Sequence, residues 1–339
     1  MVSVIILNFN GGDLLRKCLQ SVFKTDYPDY EVLVVDNGST DESCVMVEKE
    51  FPRVQLVRNQ ENCGYSEGNN VGILHSIGEF IVLLNNDTVV HSGWLSELVR
   101  EAERNPECFY QPKILFVGSN RINSAGNCVQ LFGFAFPRGM GEVDVGQYDS
   151  KCEVSYASGA CVLASRRLVE DVGLLDEGFF TFYEDVNWGW RALMRGYKTV
   201  YVPSAVIYHR WGSSWGRLMS SKKFFLIERS RIASVFRNYS FRTLVVLFPE
   251  IVFVELLVFS YCFLRGFLSE KMCVYTDLLR FRRVLLSQRR ELQGRRKMAD
   301  DFVSSFFSDG LTHVYLGAFA TPINMLLSLL AKIAKPLIR

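Results

Sequence analysis

Glu79-Phe80-Ile81-Val82-Leu83-Leu84-Asn85-Asn86-Asp87 is an apolar run that stops on two amides and a carboxylate. A short, uninterrupted apolar run of this kind reads as a strand buried on both faces, typical of mainly parallel sheets covered by helices. In open α/β sheets ligands gather beyond the carboxyl ends of the strands. A carboxylate there can hold a divalent cation, and the cation a diphosphate. The same tripeptide also ends ordinary strands as an Asx turn, so the rest of the chain has to decide.

Working outward, Val2–Leu7 reads as a first buried strand, Glu31–Val35 as a second ending in Asp36, and Val54–Arg58 as a third. Helices are expected from about Asp13 to Lys24, where Leu14, Leu15, Leu19, Val22 and Phe23 recur at helical spacing, and around Val45 and Val47, capped by Ser39 or Thr40. Asn59–Asn70 reads as a glycine- and asparagine-rich loop, followed by a helix to about Ser76. Strand-helix alternation at this spacing predicts a parallel α/β sheet with right-handed crossovers. Further on come a helix at about 92–104, short strands and turns over 110–150, and small residues at Ala157–Ala164. A helix over Arg166–Val172 follows, then one opened by Glu184-Asp185 after the aromatic run Phe179–Tyr183. Thr199–Val202 reads as an edge strand, and Ala205–Tyr208 as a last one ending in His209. No G-x-G-x-x-G follows the first strand and no P-loop pattern occurs, which argues against both a dinucleotide fold and a P-loop.

The 339 residues can bury one large α/β core and leave a second region over. The net charge of +2 hides an asymmetry: residues 1–214 carry 18 Lys+Arg against 27 Asp+Glu, while 215–339 carry 20 against 9. The second part therefore stands at +11, and it holds the long apolar runs Thr243–Leu268 and Leu316–Leu330 around a basic stretch, Arg280–Lys297. Pro249, Glu250 and Glu255 interrupt the first run, which argues against a clean transmembrane span. Amphipathic helices lying on an anionic membrane surface are expected; nucleic acid is not, because the basic residues flank apolar runs. Nine dispersed cysteines without a C-x-x-C pair point to reduced thiols. Strand-like residues from Met1 onward leave no room for a signal peptide in the expected reading.

Taken together, these pieces resemble the family 2 glycosyltransferases of GT-A fold, and within them the rhamnosyltransferase-like branch. The resemblance rests on Val4–Asn10, Val34–Asp41, Asn62–Asn70, Leu83–Thr88, Ser158-Gly159-Ala160, Phe182–Asp185 and Tyr201 through His209, in the family's order over about residues 1–240. It implies a catalytic domain over 1–214, with a donor half to about 110 and an acceptor half from about 111, and a helical membrane-associating region over 215–339. It further implies donor contacts from Asn8, Asp36, Asn62, Gly64, Asn69, Asn85 and Asn86, with Asp87 and His209 holding Mg²⁺ or Mn²⁺. Asp185 would be the catalytic base, with Glu184, Tyr183 and Trp188 on the acceptor side. Two departures stand out: Asn85-Asn86-Asp87 has one carboxylate where many relatives have two, and Asn187 replaces an outer acid. The implied reaction is inverting transfer from a nucleotide sugar to a glycan or lipid-linked acceptor at the cytoplasmic face of the cell membrane. A sugar-phosphate nucleotidyltransferase would want basic residues in the loop after the first strand, which Asn10-Gly11-Gly12-Asp13 lacks. A membrane-attached nucleotide-binding protein without turnover is the other alternative.

Overall fold

The computed structural model describes residues 1–212, 216, 218–311 and 320–338. The chain forms two units: Met1–Asn127 with Pro137–Gly189 and Tyr197–Ser214, and Cys128–Phe136 with Trp190–Gly196 and Trp215–Arg339. This differs from a single cut after 214, because two short segments of the first part of the sequence join the second unit.

In the first unit β1 (Val2–Asn8), β2 (Tyr30–Asp36), β3 (Gln55–Arg58) and β4 (Phe80–Asn85) alternate with α1 (Gly12–Val22), α2 (Ser43–Glu50) and α3 (Gly64–His75). Then come β5 (Thr88–Val90), α4 (Trp94–Arg104), β6 (Cys108–Phe116) and β7 (Ile122–Ser124). The small hairpin of β8 (Asn127–Val129) and β9 (Ala135–Pro137) precedes β10 (Cys152–Val154), β11 (Cys161–Ser165), α5 (Arg166–Val172), α6 (Glu184–Arg195) and β12 (Lys198–His209).

The main sheet runs β10-β12-β6-β11-β4-β1-β2-β3, with β5 on β12 and β7 on β6. It is parallel where β4, β1, β2 and β3 adjoin and where β6 meets β12, but β11 is antiparallel to both β4 and β6. The sheet is thus mixed, not mainly parallel as expected. Apolar periodicity reports burial and not strand direction, so β11 could not be oriented from its sequence. Thr199–Val202 and Ala205–Tyr208 are one strand, β12, with an irregularity between Val202 and Val206. It lies inside the sheet between β10 and β6, not at the edge.

Phe80–Leu84 of β4 are all buried, and each such side chain contributes at most about 1.5–3 kcal/mol by leaving water. Val2, Val4 and Ile6 of β1 join Leu15, Leu19 and Val22 of α1 in the main core. Ile5 and Leu7 point the other way, onto α3. Of the stretch Asn59–Asn70 read as a glycine-rich loop, the part from Gly64 on is the first half of this helix. A Cβ on Gly68 would stand 2.4 Å from the Leu7 side chain, and one on Gly72 2.3 Å from that of Ile5. The glycines therefore form a stripe that lets α3 lie close against the sheet, a packing role that outweighs their low helix propensity. Neither Ser39 nor Thr40 caps α2, whose N-cap is Glu42.

The second unit is helical: α7 (Ser221–Asn238), α8 (Phe241–Val246), α9 (Phe248–Arg265), α10 (Leu268–Arg280), α11 (Arg282–Gly294), α12 (Asp300–Ser305) and α13 (Ala320–Ala334). Its core recruits the two short segments: Trp190 meets Tyr239 and Phe307 edge-on at 4.9 and 4.8 Å, and the Tyr239 hydroxyl donates to the Leu131 carbonyl at 2.7 Å. Arg231 and Lys271 are buried against Glu228 and Glu255. Among the described residues no helix is long and apolar enough to cross a membrane. Residues 316–319 of the second expected apolar run, and Arg339, lie outside the described residues. None of the nine cysteines, all of them among the described residues, is in a disulfide.

Candidate active site

Parallel pairing brings the carboxyl ends of β1, β2 and β4 to one edge, with Asn8 opposite Asp36 and Leu7 opposite Asn85. A chain of amides links them. Asn86 Nδ2 donates to Asn8 Oδ1 at 3.0 Å, and Asn8 Nδ2 donates to Asp36 Oδ1 at 2.9 Å. Gly11 lies against this junction, and a Cβ there would fall 2.1 Å from Asn8 Oδ1. The second Asp36 oxygen accepts the Ser39 N–H at 2.9 Å. Burial alone would raise the Asp36 pKa, but the Ser39 and Asn8 hydrogen bonds outweigh it and hold the carboxyl below the usual range. Asp36 is therefore an ionised acceptor at the sheet edge.

The remaining expected donor residues divide. Asn85 offers its main chain, its carbonyl accepting from the Thr88 hydroxyl at 2.7 Å. Asn62 Oδ1 accepts from Asn37 Nδ2 at 3.1 Å and from Gly64 N–H at 3.0 Å, which shapes the entry into α3. Gly64 has φ +87°, and a Cβ on it would collide with the Phe180 carbonyl. Asn69 is buried and donates to the Tyr65 carbonyl within its own helix at 2.9 Å. These three build the frame.

A second group forms where β5 pairs antiparallel with the end of β12, setting Thr88 opposite His209. Asp87, one residue before, thereby meets His209 across 122 positions of sequence, with Nε2 3.2 Å from Oδ1. His209 Nδ1 is 3.0 Å from Asn123 Oδ1. In the neutral tautomer whose Nδ1–H donates to that amide oxygen, Nε2 offers a lone pair to a buried Asp87 oxygen that has no hydrogen-bond partner. An orphaned carboxylate oxygen facing an imidazole lone pair fits a divalent cation: the oxygen suits Mg²⁺ or Mn²⁺, and the imidazole favours Mn²⁺. Among the described residues no group of three or more His, Cys, Asp or Glu gathers, so the chain supplies this pair. Asn123 had no signal in the sequence, since it falls in a stretch read only as strands and turns.

The third group surrounds Asp185 in the first turn of α6. Its Oδ2 accepts the Gly159 N–H at 2.9 Å and its Oδ1 the Val186 N–H at 2.8 Å. Burial pushes its pKa up despite these bonds. The neighbouring Glu184 is pushed up much further, first by burial and then by the Asp185 charge, and one of its oxygens is buried without a hydrogen bond. Burial therefore weighs against ionisation of Glu184 more than of Asp185. The Tyr65 hydroxyl donates to the Gly159 carbonyl at 2.5 Å, so Gly159 joins Tyr65 to Asp185. Burial raises the Tyr65 pKa most, with Glu184, Asp185 and Asp87 adding to it, which sets this phenol within electrostatic reach of both acidic centres. Tyr65 lay within a quoted motif but carried no assigned role, because only the fold brings it to Gly159.

Phe182 and Tyr183, just before Glu184, have φ of 67° and 69°, a left-handed conformation that costs about 1–2 kcal/mol per residue. The run is held by the Phe179 carbonyl, which accepts the Ser66 hydroxyl, and by the Phe180 carbonyl, which accepts the Tyr65 N–H, each at 2.7 Å. Tyr183 and Trp188 are buried. Trp188 donates to the Gly173 carbonyl at 2.9 Å and packs edge-on against Phe109. It also lines, with Tyr65, Gly159 and Asp185, a small cavity beside the acid.

Residues 3–173 match the family described as Glycosyl transferase family 2. The chain is 31% identical over 223 residues to an O-antigen biosynthesis protein of Myxococcus xanthus, covering 63% of this chain and 17% of that protein. It is 26% identical over 240 residues to the N-acetylglucosaminyl-diphospho-decaprenol L-rhamnosyltransferase of Mycobacterium tuberculosis, covering 64% of this chain and 78% of that protein. An uncharacterised protein of Sinorhizobium fredii is 30% identical over 231 residues, covering 64% of this chain and 25% of that protein. The chain thus spans a quarter or less of two of these relatives. Among solved structures, GalNAc-T7 with UDP, GalNAc and Mn²⁺ aligns with a TM-score of 0.59 at 16% identity, over 74% of this chain and 51% of that one. The mannosyltransferase PcManGT of Pyrobaculum calidifontis, with GDP-Man and Mn²⁺, aligns with a TM-score of 0.52 at 16% identity, over 99% and 86%. The chain belongs to glycosyl transferase family 2, and its α/β unit has a GT-A-like fold.

Proposed function

We propose that this chain transfers a sugar from a nucleoside-diphosphate sugar, dTDP-rhamnose or a UDP-sugar, to a hydroxyl of a lipid-linked or cell-surface glycan, with inversion. The observation that carries this reading is a pair of partly buried acids in opposite settings. Asp87 faces His209 Nε2, Asp185 is held by backbone N–H groups, and Tyr65 feels both. Asn8 and Asp36 take the pyrimidine and ribose, using the amide and the ionised carboxylate at the sheet edge. Asp87 and His209 would hold Mg²⁺ or Mn²⁺, which when bound neutralises charge developing on the leaving diphosphate.

Asp185 accepts the proton of the acceptor hydroxyl as that oxygen bonds to the anomeric carbon. The bond from that carbon to the diphosphate oxygen breaks, its electrons leave with the nucleoside diphosphate, and one displacement inverts the centre. The raised pKa brings the base nearer to neutrality, where general-base help is worth roughly 10²–10⁴-fold. Glu184, the more strongly raised of the two, disfavours a second negative charge next to an anionic donor. The choice of dTDP-rhamnose draws on the likeness to the mycobacterial rhamnosyltransferase. A lipid-linked acceptor would put the reaction at the cytoplasmic face of the cell membrane. The test is release of nucleoside diphosphate from a panel of nucleotide sugars with Mn²⁺ and a membrane extract as acceptor. Release from at least one donor is expected, and silence across the panel sinks the reading.

A further inference from the structure

α9 reverses the usual arrangement of a surface helix. Phe248, Val252, Leu256, Phe259 and Phe263, at i, i+4, i+8, i+11 and i+15, form one outward stripe with exposures of 64, 42, 60, 37 and 70%. The side packed into the unit carries Val254, Cys262 and, bordering the stripe, Glu255, one of the two acids that argued against a span. Glu255 turns inward, ion-paired with Arg231 and Lys271 and accepting the Tyr275 hydroxyl at 2.7 Å. In a helix facing water the apolar stripe goes in and the charge goes out. α13 repeats the pattern: Met325, Leu329 and Ile333 are more than half exposed, while Leu327, Ala331 and Ala334 are buried. Two such stripes in one unit go beyond the scattered apolar exposure of ordinary surfaces.

Charge says what covers them. Over residues 241–294 the exposed charged side chains are Arg242, Arg265, Arg280, Arg282, Arg283 and Arg290 against a single acid, Glu291. Arg265 lies over the Tyr261 ring at 5.9 Å and Arg280 over that of Phe281 at 5.7 Å, aromatic-arginine pairs suited to a boundary between hydrocarbon and phosphate. A second copy of the chain would bring one positive unit against another. Nucleic acid would satisfy the arginines and leave the phenylalanines uncovered. We infer that the outward stripes of α9 and α13 dock on an anionic lipid bilayer, lying in the headgroup plane with the phenylalanines towards the acyl chains. The 18 residues of α9 make a rod of about 27 Å, which in this orientation lies along the surface and does not cross it.

The test is flotation of the full-length protein with phosphatidylcholine vesicles, with and without phosphatidylglycerol as a minority component. This readout needs no sugar transfer, so its failure is separable from failure of the proposed activity. Wild type should float with the anionic vesicles and be released only in part by high salt, which screens the arginines but leaves the apolar insertion. The double variant L256E/F263E should lose at least about tenfold in bound fraction. The conservative Phe263→Trp, which keeps the fold, should gain emission that lipids brominated in their acyl chains quench. The inference is overturned if wild type stays in the soluble fraction with both vesicles or if L256E/F263E floats like wild type. Unquenched indole emission from the Phe263→Trp variant, or a dimer that L256E/F263E dissolves while vesicles are ignored, overturns it as well.

Discussion

In the helical unit Glu228, Arg231, Glu255 and Lys271 pack together, acid against base at every contact, and Glu255 is held down at about 2. In the first turn of α6 Glu184 is buried beside the partly buried Asp185, which has backbone N–H groups where counter-charges would stand, and both are raised. The first arrangement settles its charges internally and has nothing left to offer a ligand. The second leaves a charge buried and incompletely compensated, a state that is costly to fold but available for proton transfer. Burial of a charge is therefore no sign of function by itself; burial without a counter-charge is.

The largest expected effect tests the uncompensated side. Asp185→Asn keeps the shape and removes the base, so kcat should fall by at least about 10²-fold with donor affinity nearly unchanged. Retention of more than a tenth of wild-type kcat would remove Asp185 from the role of base. Next is the metal pair. Asp87→Ala should abolish Mn²⁺-dependent binding of a pyrimidine diphosphate in calorimetric titration, and His209→Ala should weaken it less. Asn123→Ala, which frees the ring to turn, should cost about 10-fold in Mn²⁺ affinity, at the lower end for residues that orient a ligand. An Asn123 variant that titrates like wild type would make that contact a packing detail.

The two units should also answer pH with opposite signs. Glu255 is depressed from its ordinary value to about 2, so its contribution is present above the ordinary Glu range and fades as pH falls towards 2. Glu255→Gln should cost on the order of 3 kcal/mol near neutrality and nothing near pH 2, read from urea unfolding against pH. Asp185 is raised, so its charge weakens the fold above its folded pKa. Asp185→Asn should therefore be the more stable protein near neutrality, with the gain lost below the ordinary carboxylate range of about 4. Equal signs for the two variants would break the contrast drawn between the units.

Much was legible in the sequence because it is local. The apolar run ending at Asp87, the second strand ending at Asp36, and the helix opened by Glu184-Asp185 all follow from spacing and end residues, and α5 falls on Arg166–Val172 as read. What spacing could not give was direction and company. β11 turned out antiparallel, and the glycines at 68 and 72 proved to be a packing stripe, because both depend on what lies across the sheet.

The sequence by itself determined the class of fold, the strand ends and the acids that stand on them, since hydrophobic period and capping act within a few residues. Only the tertiary structure decided which of those acids has a partner. His209 reaches Asp87 through β5, Asn123 holds the imidazole, Tyr65 meets Gly159, and Glu255 turns inward to Arg231 and Lys271. A carboxylate looks the same in a string of letters whether it faces a lysine, a lone pair or water. Its chemistry is set by the dielectric and the charges around it, and those are supplied by residues tens to more than a hundred positions away.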